Sequence, residues 1–225
     1  GIVRWGDCLW TAMLFYTDPW IIPAFGSGAE STVDQTRVER NKPERNMNSW
    51  LKRFCYNRFR GMWAQGKDGY LHDTGWFRSF QERQAVDLSG QPVPWLGYPF
   101  VEFLSKRLSP AMQMFEFGCG NGTLYWAGRV GNIVSCEHNR AWFDKISPRL
   151  PDNAQVIWAP DGPEYEATIL NTGKRYHLVL VDGIRREEAP ATALEALTSD
   201  GVMILDDSFR SEYRPIFERM QFAGF

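Results

Sequence analysis

Glu116, Gly118, Gly120 and Gly122 stand at alternate positions in the stretch Met114-Phe115-Glu116-Phe117-Gly118-Cys119-Gly120-Asn121-Gly122-Thr123. An apolar run over 112–117 leads into it, and Leu124-Tyr125-Trp126-Ala127 leads out with a helical pattern. A strand, a glycine turn and a helix start make the first half of a nucleotide-binding βαβ unit. Glycine permits backbone angles closed to other residues and lets the main chain come close to a ligand. The free N–H groups at the helix start then face that ligand. The spacing is Gly-x-Gly-x-Gly, not the G-x-G-x-x-G of the dinucleotide fingerprint. An acid two positions before the first glycine would repel a diphosphate and suits a cationic ligand. The competing reading is a purely structural turn before a helix.

Four more acids fall where chemistry is expected. Glu137 closes the apolar stretch 132–136, about 20 residues after the glycine turn, where an acid can accept hydrogen bonds from both hydroxyls of a ribose. The alternative is a solvated acid beside His138. Asp182 follows the apolar run 178–181, and Asp206-Asp207 follow 202–205. Ligands of open α/β sheets bind beyond the carboxyl ends of the strands. Carboxylates brought together there repel, and want a cation, a proton or a bound hydroxyl between them. The plainer reading is that aspartates favour strand-to-loop junctions anyway.

The elements that must position these residues alternate. Strands are predicted at 112–117, 132–136, 154–159, 178–181 and 202–205. Helices are predicted from 124 and over 141–150, 165–170, 189–197 and 213–220. Such alternation predicts a parallel sheet with helices on both faces. Upstream, 70–100 carries Tyr70-Leu71-His72-Asp73 and a Pro/Gly-rich piece, 90–99, that reads as an ordered turn. A helix over 100–108 follows, with Phe100, Val101, Leu104 and Leu108 inward. Residues 1–69 read as a mostly helical or irregular extension. Within it, 8–16 is an apolar run suited to a helix or packed arm, and 26–48 is a polar linker. Eight basic residues between Arg37 and Arg60 outnumber Glu39 and Glu44 and interleave with aromatics. That pattern suits a helix contacting RNA or an anionic glycan, or an amphipathic helix with a solvated basic edge.

Composition narrows the class. The 225 residues are 44% hydrophobic and 23% charged, with a net charge of −2, as in an ordinary globular protein and with no case for a general nucleic-acid or membrane surface. Cys8, Cys55, Cys119 and Cys136 show no metal-type pairing. A reducing cytosol fits, so a cytoplasmic location is expected.

Glu116-x-Gly118-x-Gly120-x-Gly122, followed by Glu137 at the next strand end, resembles the first motifs of class I S-adenosylmethionine-dependent methyltransferases. The resemblance spans roughly 70–225 and implies a Rossmann-like sheet of order 3-2-1-4-5. It implies S-adenosylmethionine bound over Glu116, Gly118, Cys119, Gly120 and Gly122, with its ribose on Glu137 beside His138. Asp161-Gly162 would stand near the adenine, and 70–110 would cover cofactor and acceptor. The family's last two strands, an antiparallel hairpin, are missing, which implies a fragment or a shortened variant. The segment also looks like bacterial methyltransferases linked to glycan modification. Catechol-type members hold magnesium on an Asp and an Asp-Asn pair, so Asp182, Asp206 and Asp207 are the candidate magnesium ligands, with Asp207 replacing the Asn. Asp182, alone or through the metal, is the candidate base, and His72 is second. The expected reaction is O-methylation of a sugar, glycan or other small hydroxyl acceptor. The alternatives are an RNA or protein methyltransferase using 37–60, and a non-catalytic Rossmann-like binding module.

Overall fold

A computed structural model describes residues 2–5, 8–11 and 68–222. The basic stretch 37–60 lies outside them, as does most of the N-terminal extension. Where a helix or arm was expected from residue 8, β1 (Ile2–Trp5) and β2 (Cys8–Thr11) form an antiparallel pair, with Ile2 opposite Thr11 and Trp5 opposite Cys8. The local signal was Gly6-Asp7, a two-residue turn type between runs rich in strand formers.

The main body begins with α1 (Tyr70–Asp73), α2 (Trp76–Glu82) and α3 (Tyr98–Ser105). Five βα steps follow: β3 (Gln113–Phe117), α4 (Asn121–Ala127), β4 (Asn132–Glu137), α5 (Arg140–Ile146), β5 (Ala154–Trp158), α6 (Pro163–Asn171), β6 (Tyr176–Val181), α7 (Ala189–Glu195), β7 (Leu197–Leu205) and α8 (Arg214–Phe222). Every pairing is parallel and the order is β5-β4-β3-β6-β7. In sheet-strand numbering that is 3-2-1-4-5, the order expected.

The strands read as continuous apolar runs because both faces are covered. Side chains alternate between faces, and the burial follows that period. Phe115, Phe117, Val179, Val181, Met203 and Leu205 pack on one side with Tyr165 and Ile169 of α6 and Ala189 and Ala193 of α7. Met114, Leu178, Leu180, Val202 and Ile204 pack on the other with Val101 and Leu104 of α3 and Trp126 of α4. β3 is central, so its carboxyl end opens at the middle of the sheet edge. That end is a natural crevice, since the chain winds outward in both directions from it.

The segment between α2 and α3 is an ordered turn, as the prolines and glycines indicated. Val86 and Pro92 bridge, and Asp87 Oδ1 accepts the Ser89 and Gln91 N–H groups, each at 2.8 Å. Ser79 ties it to α2: its hydroxyl donates to the Val86 carbonyl (2.6 Å) and accepts the Val86 N–H (3.0 Å).

Candidate active site

The crevice is a cleft of about 500 Å³ at the carboxyl ends of β3, β4 and β6. Glu116, Gly118, Cys119, Gly120 and Gly122 form its floor, with Glu137 and His138 on one side and Asp182 and Gly183 on the other. The turn between α2 and α3 contributes Arg83, Pro94 and Trp95, and α5 contributes Trp142. The Asn121 amide donates to the Ala85 carbonyl (2.7 Å), which pins that turn over the glycines.

Each glycine of the turn has its own reason. Gly118 has φ +91°, and a Cβ there would lie 3.0 Å from Gly183 Cα. A Cβ on Gly122 would meet Glu116 Oε1 at 3.3 Å and Pro94 Cα at 3.6 Å. Gly120 is different: its φ of 174° is ordinary extended backbone, and among the described residues a Cβ would find only the Trp142 ring, at 3.8 Å. The chain itself does not require glycine at this position. A ligand lying on the backbone would.

Glu116 is buried, and its Oε2 accepts hydrogen bonds from the hydroxyls of Thr123 and Ser135. Ser135 is its direct neighbour across the β3–β4 register. Burial pushes the Glu116 carboxyl up to about 7; the two hydroxyls oppose this, and Glu137 adds to it. Glu137 is also buried, and both its oxygens accept main-chain donors: Oε2 the Cys119 N–H at 3.2 Å and Oε1 the Asn139 N–H at 2.7 Å. The acid at the end of β4 therefore orients the glycine turn directly. The Trp142 indole N–H donates to the Cys119 carbonyl (2.6 Å), so the next peptide of the turn is held by α5. The Cys119 thiol is pushed far up, first by burial and then by Glu137 and Glu116, so it stays a neutral thiol.

Asp182 lies opposite. Burial, then the neighbouring Asp206, raise its carboxyl well above the usual range, against the pull of Arg186. Arg186 Nη2 donates to Asp182 Oδ1 at 2.8 Å; Nη1 donates to Asp206 Oδ2 at 3.3 Å and lies 3.2 Å from Asp207 Oδ2. The three acids are thus close together, as expected, but the cation among them is a guanidinium. Among the described residues no three His, Cys, Asp or Glu side chains are grouped to hold a metal ion. The magnesium expected on Asp182, Asp206 and Asp207 does not fit these residues, because the oxygens that would ligate it already face Arg186.

Three other expectations meet a different arrangement. His72 is absent from the cleft lining; on α1, its Nδ1 is 3.0 Å from Asp73 Oδ1. Asp161 is also absent from the lining, mostly exposed and 3.7 Å from Arg185 Nη1, while Gly162 precedes α6. Asp206 and Asp207 are also absent from the lining and face Arg186, which in turn pairs with Asp182 of the cleft. Conversely, Trp142, Asn139, Arg83 and Arg186 escaped sequence reasoning. A faint signal for Arg186 was its place four residues after Asp182.

The five-stranded parallel order and the glycine turn after the central strand are a Rossmann-like architecture. No protein-family model matches this chain, and no curated protein matches it. Among solved structures it is similar to precorrin 8w decarboxylase of Methanobacterium thermoautotrophicum, at 20% identity over 64% of this chain and 80% of that one, with a TM-score of 0.48. It is similar to an rRNA methylase from Streptococcus thermophilus, at 20% identity over 56% and 81%, TM-score 0.43. It is also similar to precorrin-6y C5,15-methyltransferase from Geobacter metallireducens, at 19% identity over 53% and 67%, TM-score 0.42. These are likenesses of fold.

Proposed function

We propose that this chain is an S-adenosylmethionine-dependent methyltransferase acting on a hydroxyl of a sugar-like or other small acceptor. The observation that carries the reading is Gly120, a glycine with no conformational or packing need of its own, on the floor of a cleft flanked by carboxylates. A buried, acid-rich floor favours a cationic ligand over a diphosphate. Bound S-adenosylmethionine would supply a methyl group on a sulfonium, already a good leaving group.

The residues of the chain do the rest. Glu137 offers its remaining lone pairs to ribose hydroxyls, since each oxygen accepts only one main-chain N–H. Trp142 and Pro94 wall off water. Asp182, its carboxyl held well above the usual range by burial and Asp206, is the base that takes the acceptor proton. Trp95, half exposed at the mouth, presents a flat apolar ring of the kind that supports one face of a sugar.

The test is calorimetry with S-adenosylhomocysteine and, separately, NAD. Saturable binding of the first, weakened in Glu137→Gln, is the expected result. Tight binding of NAD in its place would overturn the reading. Among the described residues no helix is long and apolar enough to cross a membrane.

A further inference from the structure

The guanidinium of Arg186 has five N–H donors in a fixed planar fork, and five oxygens surround it. Nε donates to the Gly183 carbonyl at 2.9 Å. Nη2 donates to the Asp182 carbonyl at 3.0 Å and to Asp182 Oδ1 at 2.8 Å. Nη1 faces Asp206 Oδ2 at 3.3 Å and Asp207 Oδ2 at 3.2 Å. The side chain is largely buried, at 15% exposure. We propose that Arg186 is the resident cation of this site, bridging three strand-end carboxylates that are not grouped to hold a metal, and that it positions Asp182 for a metal-independent reaction.

Charge and geometry both support this. Asp182, Asp206 and Asp207 bring three negative charges; Arg186 offsets one, and Arg210, whose Nη2 lies 2.5 Å from Asp207 Oδ2, offsets a second. Burial and the neighbouring Asp206 hold the Asp182 carboxyl well above its usual range, against the pull of Arg186. A magnesium ion needs near-octahedral oxygens at about 2.0–2.1 Å, so it could enter only by expelling the guanidinium from all five contacts. The arrangement is also a clamp. Main-chain contacts at Asp182 and Gly183 fix the arginine to the end of β6, and its other edge grips the acids after β7. The position of the Asp182 carboxyl is therefore set by a group that stays charged at any working pH.

The test needs no acceptor. Thermal melting of the purified chain, with and without millimolar magnesium chloride, is compared for wild type, Arg186→Met and Arg186→Lys. The wild type should melt at the same temperature in both. Arg186→Met should melt several degrees lower with or without magnesium, because three carboxylates then lack a central cation. Arg186→Lys keeps the charge but loses the fork, and should fall between. A wild type stabilised by magnesium would overturn the proposal, as would an Arg186→Met protein unchanged in both conditions. If Arg186→Met does not fold, calorimetric titration of the wild type with magnesium decides alone: no saturable heat is expected, and saturable binding would overturn it. The inference of a positioning role rests on the methyltransferase reading, and chelator-resistant methyl transfer is its readout. Failure to bind S-adenosylhomocysteine would refute that reading and leave the magnesium result standing.

Discussion

Gly118 and Gly183 meet where β3 and β6 end, with no side chain between them. A Cβ on Gly183 would lie 2.9 Å from Gly118 N and 2.0 Å from Tyr165 Oη. Two adjacent strands can approach this closely only because neither residue carries a side chain, and the approach sets Asp182 against the glycine turn.

This predicts opposite outcomes for two glycine substitutions. Gly183→Ala must displace backbone or a buried tyrosine, an overpacking that costs about 1–3 kcal/mol or more, and should lower the melting temperature measurably. Gly120→Ala should melt like the wild type, since among the described residues its Cβ meets only Trp142, at 3.8 Å, while weakening S-adenosylhomocysteine binding in calorimetry. A destabilised Gly120→Ala protein with normal affinity would contradict the assignment.

Glu116 should make stability depend on pH. Its folded-state carboxyl is raised from 4.5 to about 7, so the protonated acid is the form the fold favours. That contribution is fully present below about pH 4.5 and is lost as pH rises through 7. At 1.36 kcal/mol per unit it amounts to roughly 3 kcal/mol. Denaturant melts of Glu116→Gln against wild type across pH 5–8 should show the variant gaining relative stability as pH rises; parallel curves would mean Glu116 is ionised throughout.

Glu137→Gln keeps the shape and one carbonyl acceptor for the Cys119 or Asn139 N–H. It should weaken cofactor binding by about 1–3 kcal/mol, the cost of disrupting hydrogen bonds at a buried charged acceptor. Equal affinities for the two proteins would remove Glu137 from the ribose.

Asp182→Asn should leave S-adenosylhomocysteine affinity close to wild type and abolish methyl transfer, because the amide cannot take a proton. Once an acceptor is found, single-turnover rates with radiolabelled methyl groups check this. An active Asp182→Asn protein would make the acid a strand terminator and nothing more.

Much of the fold was legible because its signals are local. Apolar runs such as 178–181 and 202–205 mark strands buried on both faces. The alternate glycines after Phe117 mark a turn whatever the rest of the chain does. Glu137 was legible for the same reason, as the residue that ends the next strand. The N-terminal strand pair was misread because aromatic residues near Cys8 suit a helix or a strand equally over so short a run. His72 and Asp161 were placed near the ligand by the family resemblance, and neither lines the cleft.

The sequence by itself determined the alternation of strands and helices, the glycine turn and the acids at the strand ends, since each depends on neighbours a few residues away. Tertiary structure decided what those acids face. Arg186 reaches Asp206 and Asp207 only because β6 and β7 pair side by side. Trp142 reaches Cys119 only because α5 folds back beside β4 and β5. Such contacts join residues about 20 positions apart, and no periodicity or propensity encodes them. They are fixed when the buried faces of the sheet choose their register, and with that choice a predicted metal site became an arginine clamp.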